Sequence, residues 1–364
     1  MTDRDSAHGE DGAQGGRHPG HRRPTLADVA EVAGVSTATV SRFFTSPEAV
    51  SPALRGRVGS AVKELEYVPD ASARALVTGR TNTLGFVVPT LDVAPFAAGV
   101  QAFQSRLAAA DYTSLMAYSN YDLAEEARQV RALIARGVDG VVMVGIEHAP
   151  GLTEFLVERN VPFVNTWVFE PAAEHPCIGF DNSEAMRKMA RYVLDMGHRD
   201  IAIIVGGLDD ENDRARGRIE GLRRAMAERG LALPPERVVE RRYGVTDGRD
   251  AFRQLMAVTS PPTAILCTSD VYAIGALLEC HRMGIGVPEE ISITGFDDLE
   301  ISRHMNPPLT AVNVPAAEMG RLAAEYLLAR IADQPAAHLT ELDSVLSIRG
   351  TVAPPPVRTG GPLP

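Results

Sequence analysis

Residues 25–43 have the pattern of two short helices joined by a tight turn, and this pattern constrains the fold most. Four apolar residues recur at i, i+3, i+4 and i+7, on one face of a helix: Leu26, Val29, Ala30 and Ala33. Thr25 is placed to cap this helix, and Gly34 permits the sharp turn that follows it. Ser36 is then placed to cap a second helix that begins at Thr37. The sequence therefore predicts a helix-turn-helix.

A third helix is predicted after this pair. Ser51 and Pro52 are suited to the N-cap and to the first helical position. Apolar residues then recur at helical spacing: Leu54, Val58, Ala61, Val62 and Leu65. Pro69 ends the helix, because proline disfavours helical backbone in the residue before it. Residues 24–69 are therefore predicted to form a three-helix domain.

The second helix is predicted to contact DNA. Few of its residues are apolar, and its other side carries small polar groups and Arg42. Side chains of this kind fit the major groove and bury little core. The short hydroxyl side chains of Ser36, Thr39 and Ser41 are suited to phosphate contacts.

The charge of the chain is unevenly distributed. The 364 residues carry a formal net charge of −11, yet residues 21–80 hold eight Lys and Arg against six Asp and Glu. A nearly neutral head on an acidic protein makes few favourable phosphate contacts. We therefore expect two copies of the chain to bind DNA together.

Composition excludes membrane and exported proteins. A hydrophobic content of 45% is that of an ordinary globular protein, and no apolar run reaches the length of a membrane span. The polar N-terminus has no apolar signal-peptide core. Cys177, Cys267 and Cys280 are widely spaced, which offers no zinc site and favours a reducing compartment. A cytoplasmic location is therefore expected.

The rest of the chain divides by composition. Residues 1–23 are predicted to be a disordered polar tail, and residues 70–80 a short, weak hinge helix that links the head to a core. The core is predicted over residues 81–355 and a flexible tail over residues 356–364. The C-terminal end shows no leucine heptad, which favours a dimer over a tetramer held by a coiled coil.

Short apolar runs alternate with amphipathic helices throughout the core. The candidate strands are 84–88, 113–117, 140–144, 163–166, 178–180, 201–205, 238–242, 264–267, 291–294 and 311–314. Candidate helices between them include 96–109, 125–136, 183–196, 216–228 and 271–283. Uniformly apolar strands are typical of parallel sheets that helices cover on both faces. We predict two parallel α/β sheets with a cleft between them and a ligand at the carboxyl ends of the strands.

Several motifs together resemble the LacI/GalR (lactose-repressor/galactose-repressor) family of bacterial transcription regulators over residues 24–355. They are the run from Thr25 to Arg42, Tyr67-Val68-Pro69, Ala73-Arg74-Ala75-Leu76, Arg136-Gly137-Val138-Asp139-Gly140, Asp181-Asn182, Gly197-His198-Arg199, Gly295-Phe296-Asp297-Asp298, Pro307-Pro308-Leu309-Thr310 and Arg349-Gly350-Thr351. The resemblance implies an all-α helix-turn-helix head. It also implies an α/β core of two parallel-sheet subdomains, similar to periplasmic binding proteins.

The resemblance also implies roles at the DNA. Thr37, Ala38 and Arg42 would read base edges, and Leu76 would insert between base pairs in the minor groove from the hinge helix. The alternative for Leu76 is packing on the core. The complete set of predicted DNA contacts is Thr25, Ser36, Thr37, Ala38, Thr39, Ser41, Arg42, Arg74 and Leu76.

In the core, the resemblance implies a small-molecule effector held by Arg218 and Asp297. A fixed guanidinium opposite a carboxylate suits sugar hydroxyls, which both donate and accept hydrogen bonds. The further candidates are Phe96 and Tyr243 as aromatic walls, Ser269 as a polar contact, and Asn182 and Trp167. The alternatives are a structural salt bridge between Arg218 and Asp297 and ordinary core packing of the aromatic residues.

No catalytic motif is found in the sequence. A nucleophile elbow, a phosphate-binding glycine loop and a dinucleotide fingerprint are all missing where a strand meets a helix, and no metal-ligand cluster occurs. We therefore predict no enzyme activity, no cofactor and no metal.

The predicted function is that of a repressor. Its homodimer would bind a near-palindromic operator under the control of a sugar or sugar derivative. The alternatives are a sugar receptor of periplasmic type without DNA function, an α/β enzyme with an accessory head, and a nucleobase-responsive regulator that needs a corepressor.

Overall fold

The computed structural model describes residues 24–68, 79–207 and 212–357. The chain divides into two units, residues 1–81 and residues 82–364. The predicted DNA contacts Arg74 and Leu76 lie outside the described residues, as do nearly all of the predicted hinge helix and the N-terminal tail.

The described residues of the first unit contain three α-helices: α1 Leu26–Ala33, α2 Thr37–Thr45 and α3 Pro52–Glu64. The Thr25 hydroxyl accepts a hydrogen bond from the Asp28 amide, and the Asp28 carboxylate accepts from the Thr25 amide at 2.6 Å. This reciprocal cap satisfies amides that the first turn of a helix leaves unpaired. Gly34 ends α1 with a φ of 61°, a left-handed conformation that glycine adopts without strain. The helices enclose a small core: Val29, Ala30, Ala33, Val40, Val58, Ala61 and Tyr67.

The second unit contains helices and strands in alternation. Its helices are α4 Ala94–Ala108, α5 Leu123–Ala135, α6 Leu152–Glu158, α7 Asn182–Asp195, α8 Asp213–Ala227, α9 Val245–Met256, α10 Asp270–Met283 and α11 Ala316–Ile331. Its strands are β1 Thr83–Val88, β2 Thr113–Tyr118, β3 Val141–Val144, β4 Phe163–Thr166, β5 Cys177–Gly179, β6 Ile201–Val205, β7 Val238–Glu240, β8 Ala264–Cys267, β9 Ser292–Asp297, β10 Thr310–Asn313, β11 Leu339–Glu341 and β12 Val345–Ser347.

The strands form two six-stranded sheets. The first has the order β11-β5-β4-β3-β1-β2, and the second has the order β12-β10-β9-β8-β6-β7. All neighbouring strands except β10 and β12 are parallel, with Val141 opposite Phe163 in the first sheet and Ala264 opposite Ser292 in the second. The central strands are buried on both faces because helices cover both sides of each sheet.

The predicted architecture is confirmed, with two differences in the sheets. The edge strand β12 runs antiparallel to β10, so the second sheet is mostly rather than wholly parallel. The candidate strands also omitted β11 and β12. Each is three residues long and only partly buried, so no apolar run marks it in the sequence.

The chain passes between the two sheets three times. It crosses from the first sheet to the second after β5. It returns to the first subdomain after β10, where α11 packs on α4, and crosses to the second sheet again between β11 and β12. A cleft lies between the two subdomains, where the carboxyl ends of their parallel strands meet. Among the described residues, no helix has both the length and the apolar character needed to cross a membrane.

Candidate DNA-binding helix and effector cleft

Helix α2 presents a polar, accessible face. The side chains of Thr37, Ala38 and Arg42 are exposed, whereas Val40 on the opposite side is fully buried in the head core. Ser36 caps the helix, because its hydroxyl accepts a hydrogen bond from the Thr39 amide at 3.2 Å. The sequence folds this way because the apolar residues of α2 occupy one side only.

Three hydroxyls among the predicted DNA contacts already have partners. Ser36 Oγ and Thr39 Oγ1 lie 3.0 Å apart and share a hydrogen bond. The Thr25 hydroxyl donates to the Asp28 carboxylate at 2.7 Å. These hydrogen bonds therefore fix the first turns of α1 and α2. They also orient the backbone amides at the start of each helix.

Six of the seven predicted effector contacts line one cavity of about 1010 Å³ in the cleft: Phe96, Trp167, Arg218, Tyr243, Ser269 and Asp297. Asn182 lies behind the lining. Its side-chain amide donates to the Trp167 carbonyl at 2.9 Å, and its Oδ1 accepts from Arg218 Nε at 3.0 Å. Asn182 thus positions two residues that face the cavity.

Arg218 projects from α8 and is held rigidly. Its Nη1 donates to the Thr268 carbonyl at 2.6 Å, and its guanidinium carbon lies 3.7 Å from the centre of the Phe296 ring. Burial lowers the pKa of Arg218 to about 10, although the nearby Asp297 carboxyl opposes this shift. Within the described part of the chain, no ion pair joins Arg218 to Asp297, so the predicted alternative of a structural salt bridge is not observed.

Asp297 ends β9 and points toward the same cavity. The Ser269 hydroxyl donates to Asp297 Oδ2 at 2.8 Å. Burial raises the pKa of Asp297 to about 7; Arg218 opposes this rise and the nearby Asp270 carboxyl adds to it. Asp297 therefore binds a proton more readily than a solvent-exposed carboxyl does, and in its protonated form it can donate as well as accept a hydrogen bond.

Aromatic rings form two walls of the cavity. Phe96 contacts Trp167 edge to face with centroids 5.1 Å apart, and Tyr243 contacts Tyr272 in the same way at 5.9 Å. Trp167 is 2% exposed, and its Nε1 has no hydrogen-bond partner among the described residues. The Tyr243 hydroxyl is likewise buried and lies beside the Ser269 side chain.

Comparison with known proteins identifies the chain. Residues 25–70 match the family described as bacterial regulatory proteins, lacI family, and residues 190–352 match a periplasmic binding protein-like domain. The HTH-type transcriptional regulator GntR of Escherichia coli K12 is 33% identical over 310 residues, which are 85% of this chain and 92% of that protein. The chain belongs to the LacI family.

Solved structures of LacI-family proteins share the fold. The Lac repressor dimer bound to operator and the anti-inducer ONPF has a TM-score of 0.81 and 26% identity, over 91% of this chain and all of that one. The CelR–cellobiose complex has a TM-score of 0.66 and 29% identity, over 90% of this chain and all of that one. This LacI-family protein is a DNA-binding transcription regulator with an effector-binding domain, and not an enzyme.

Tyr121 and Arg214 are among the residues that line the cleft cavity and that the sequence prediction missed. Tyr121 follows β2 with a φ of 63°, and burial raises its pKa. Arg214 lies one helical turn before Arg218, so the i, i+4 spacing was a signal for it. No comparable signal marked Tyr121, because its position depends on where β2 ends.

A contact between the subdomains closes one side of the cleft. Asp213 Oδ2, at the start of α8, accepts from the Ile146 amide at 2.6 Å, and Arg214 Nη1 donates to the Val144 carbonyl at 3.3 Å. Gly145 has a φ of 92° between these partners. A Cβ at Gly145 would clash with the Arg214 guanidinium and crowd the Asp213 carboxylate, and the positive φ adds backbone strain, so glycine favours this contact.

Proposed function

We propose that this LacI-family regulator is a repressor whose homodimer binds a near-palindromic operator in the cytoplasm. The exposed side chains of Thr37, Ala38 and Arg42 on α2 support this proposal. Arginine can donate two hydrogen bonds to a guanine edge, and small side chains can contact a thymine methyl group. Thr25, Ser36, Thr39 and Ser41 would contact phosphates, with amides at the helix starts contributing where hydroxyls are already bonded.

The hinge helix belongs to the same proposal. We infer that residues 70–80 order on DNA, that Arg74 contacts the duplex, and that Leu76 inserts between base pairs at the operator centre. Because one acidic chain makes few phosphate contacts, two heads and two hinge helices are needed for tight binding.

We further propose that a carbohydrate or carbohydrate derivative occupies the cleft and controls operator affinity. The observation that carries this is the convergence of Arg218, Asp297 and Ser269 beside aromatic walls in one cavity of about 1010 Å³. Such a mixture of donors, acceptors and ring faces suits a polyhydroxylated ligand. A similar structure, CelR, is described as a complex with cellobiose. Binding would shift the population of subdomain arrangements and so change the spacing of the two hinge helices.

Operator selection from random duplex DNA with the purified full-length protein tests this function. We expect enrichment of a near-palindrome, and release of the bound DNA by one carbohydrate from a panel. Enrichment that requires an added nucleobase would instead establish a corepressor-dependent regulator. Failure to enrich any sequence would contradict the proposal of operator binding by α2.

Replacing Arg42 with alanine should weaken operator binding. Loss of a bidentate base contact costs about 1–3 kcal/mol, which is roughly 10- to 100-fold in affinity per head. Fluorescence anisotropy with the selected operator measures this loss. Lys63→Ala is the matched control, because it removes one exposed positive charge from α3 of the same unit. Equal losses in both variants would show that Arg42 contributes charge alone.

A further inference from the structure

A second cavity, called the side cavity here, lies within the first subdomain and has a volume of about 350 Å³. It is lined by residues of the segment after β3, the start of α6, β4 and the loop before β5. Of the described residues, none lines both the side cavity and the cleft cavity. A volume of this size accommodates a small molecule, so the side cavity is a candidate site separate from the cleft.

The inner wall of the side cavity contains a buried chain of hydrogen bonds. His148 Nδ1 lies 2.7 Å from Glu126 Oε2, and its Nε2 lies 3.1 Å from Asn165 Oδ1. Both partner atoms are acceptors, so the protonated ring donates from both of its nitrogens. Burial opposes this charge, but the hydrogen bond and the charge of Glu126 raise the pKa of His148 overall. The protonated ring thus holds Asn165 with its amide oxygen turned toward His148.

Asn165 is left with a hydrogen-bond donor for the side cavity. It is 1% exposed, and in the described part of the chain its Nδ2 has no hydrogen-bond partner. Because Oδ1 is held by His148, Nδ2 is the amide atom that Asn165 presents to the cavity it lines. A buried donor without a partner costs free energy, so a ligand with an acceptor oxygen gains affinity there.

The mouth of the side cavity is acidic. Glu154 and Glu174 line it with exposed side chains, and no lysine or arginine is among its described lining residues. Hydrogen bonds from its own amide and from the Thr153 hydroxyl, together with the nearby His175, lower the pKa of Glu154. Two carboxylates at one opening attract a cation.

The side cavity suits an organic cation better than a metal ion. Among the described residues, no group of three or more His, Cys, Asp or Glu side chains is arranged to hold a metal. An ammonium group needs only hydrogen-bond acceptors, which the two carboxylates supply.

We propose that the side cavity binds a small organic amine that also carries an acceptor oxygen. Its ammonium group pairs with Glu154 and Glu174, and its oxygen accepts a hydrogen bond from Asn165 Nδ2. An amino ether or an amino alcohol has this chemistry. This second ligand site does not depend on the identity of the ligand in the cleft.

Ile146 connects the side cavity to the contact between the subdomains. It lines the side cavity, and its amide donates to Asp213 Oδ2 at 2.6 Å. The charge of Asp213 also contributes to the raised pKa of His148, so it acts on the inner wall. An amine in the side cavity therefore acts on the contact that closes one side of the cleft.

A matched set of three probes tests the proposed chemistry. Methoxyethylamine carries the amine and the acceptor, butylamine replaces the ether oxygen with a methylene group, and methoxyethanol replaces the amine with a hydroxyl. TROSY spectra of the full-length ¹⁵N-labelled protein follow the Ile146 amide and the Asn165 side-chain amide during each titration. We expect saturable shifts with methoxyethylamine. Butylamine should bind about threefold to tenfold more weakly because it lacks the hydrogen bond, and methoxyethanol about tenfold more weakly because it lacks the charge.

The three probes can each contradict a different part of the proposal. Equally tight binding of methoxyethanol would overturn the cation site. Equally tight binding of butylamine would overturn the contact with Asn165. If methoxyethylamine causes no saturable shift of the Ile146 and Asn165 signals, the side cavity is not a site for such amines.

Carboxylate variants locate the ammonium group. Glu154→Gln and Glu174→Gln should each weaken binding of methoxyethylamine about threefold, and the double variant about tenfold, as expected for exposed charge pairs. Glu158→Gln is the matched control, because Glu158 is exposed on the same helix but does not line the side cavity. Equal weakening in the control would show a general attraction of cations to an acidic surface and would overturn the proposed pairing.

The protonation of His148 gives an independent readout. The charged groups around it are Glu126 on α5 and Asp213 on α8, and the cavity lining adds Glu154, Glu174 and His175. As pH rises through the raised pKa, His148 loses its Nε2 proton, and Asn165 then donates from Nδ2 to the ring and presents Oδ1 to the cavity. An ether oxygen cannot donate to Oδ1, so the preference for methoxyethylamine over butylamine should disappear at high pH while both amines stay protonated. A preference that persists after His148 has lost its proton would contradict the proposed role of Asn165.

Discussion

Four residues that line the cleft cavity have backbone conformations that side chains rarely adopt. Asn120, Tyr121, Trp167 and Asp297 have φ values of 53°, 63°, 61° and 126°, and each lies at or shortly after the carboxyl end of a strand. Such conformations cost about 1–3 kcal/mol each and persist where the surrounding structure enforces them. The strained backbone directs these side chains into the cleft, and such strain is typical of a binding site.

His148 gives a prediction for stability at the same scale. It is buried, with Nδ1 2.7 Å from Glu126 Oε2 and Nε2 3.1 Å from Asn165 Oδ1. Burial alone would lower the pKa of His148, but the hydrogen bond and charge of Glu126, helped by Asn165 and the more distant Asp213, raise it overall. Because the pKa is higher in the folded state, the stabilisation is complete at low pH and is lost as pH rises through the raised pKa.

Thermal unfolding between pH 5.5 and pH 8.5 measures this effect. We expect the wild type to lose stability relative to His148→Gln as pH rises, since glutamine does not titrate in this range. Parallel pH profiles of the two proteins would show that the His148–Glu126 pair does not change its protonation on unfolding.

At the scale of elements, the start of α8 links the two subdomains. The Asp213–Ile146 and Arg214–Val144 hydrogen bonds join this helix to the end of β3 and the residues that follow it. Arg218, farther along α8, is in turn bonded to Asn182 at the start of α7 and near the first crossing of the chain. A ligand that moves Arg218 would therefore act on both the cleft contact and a crossing segment.

Gly145→Ala should break the cleft contact. The added Cβ would approach Arg214 and Asp213. We therefore expect the free energy of unfolding to fall by about 1–3 kcal/mol more than backbone strain alone would lower it. Gly151→Ala is the control, because Gly151 has a similar φ of 78° but open space around its Cβ position. Chemical denaturation measures stability, and hydrogen exchange of the Ile146 amide reports the contact itself. Equal exchange rates at Ile146 in both variants would contradict this assignment.

Elements whose signals are local could be predicted from the sequence. Helices α1 and α2 are marked by caps, a turn glycine and one apolar face, and the central strands by buried apolar runs. Strands β11 and β12 were missed because pairing with a sheet edge, rather than their own composition, makes them strands. The role of Asn182 behind the cavity depends on the approach of α8 and β4, which no local pattern encodes.

At the scale of the whole molecule, neither subdomain is continuous in sequence. The last segment of the chain adds β11 to the first sheet and β12 to the second. Beyond them, Thr351 accepts a hydrogen bond from the Thr310 amide at 3.0 Å through its hydroxyl, and its carbonyl accepts one from Ile293. The segment from β11 to Thr351 therefore contributes to both subdomains, through β11 to the first and through β12 and Thr351 to the second.

A chain that ends at Ala332 should fail to fold its core. It would lose an edge strand from each sheet and the buried Thr351, which together exceed the marginal stability of a typical domain. Soluble yield and circular dichroism measure the result. A chain that ends at Val357 keeps both strands and should unfold at the temperature of the full-length protein. A cooperative transition in the shorter chain would show that these strands are dispensable.

The position of Trp167 has an optical consequence. It is the single tryptophan of the chain, and it lies in the wall of the cleft cavity at 2% exposure. Indole emission depends on the polarity around the ring and on hydrogen bonding at Nε1. Light at wavelengths longer than the tyrosine absorption band therefore excites Trp167 alone. The protein carries its own reporter of cleft occupancy, and ligands can be screened by fluorescence without a label.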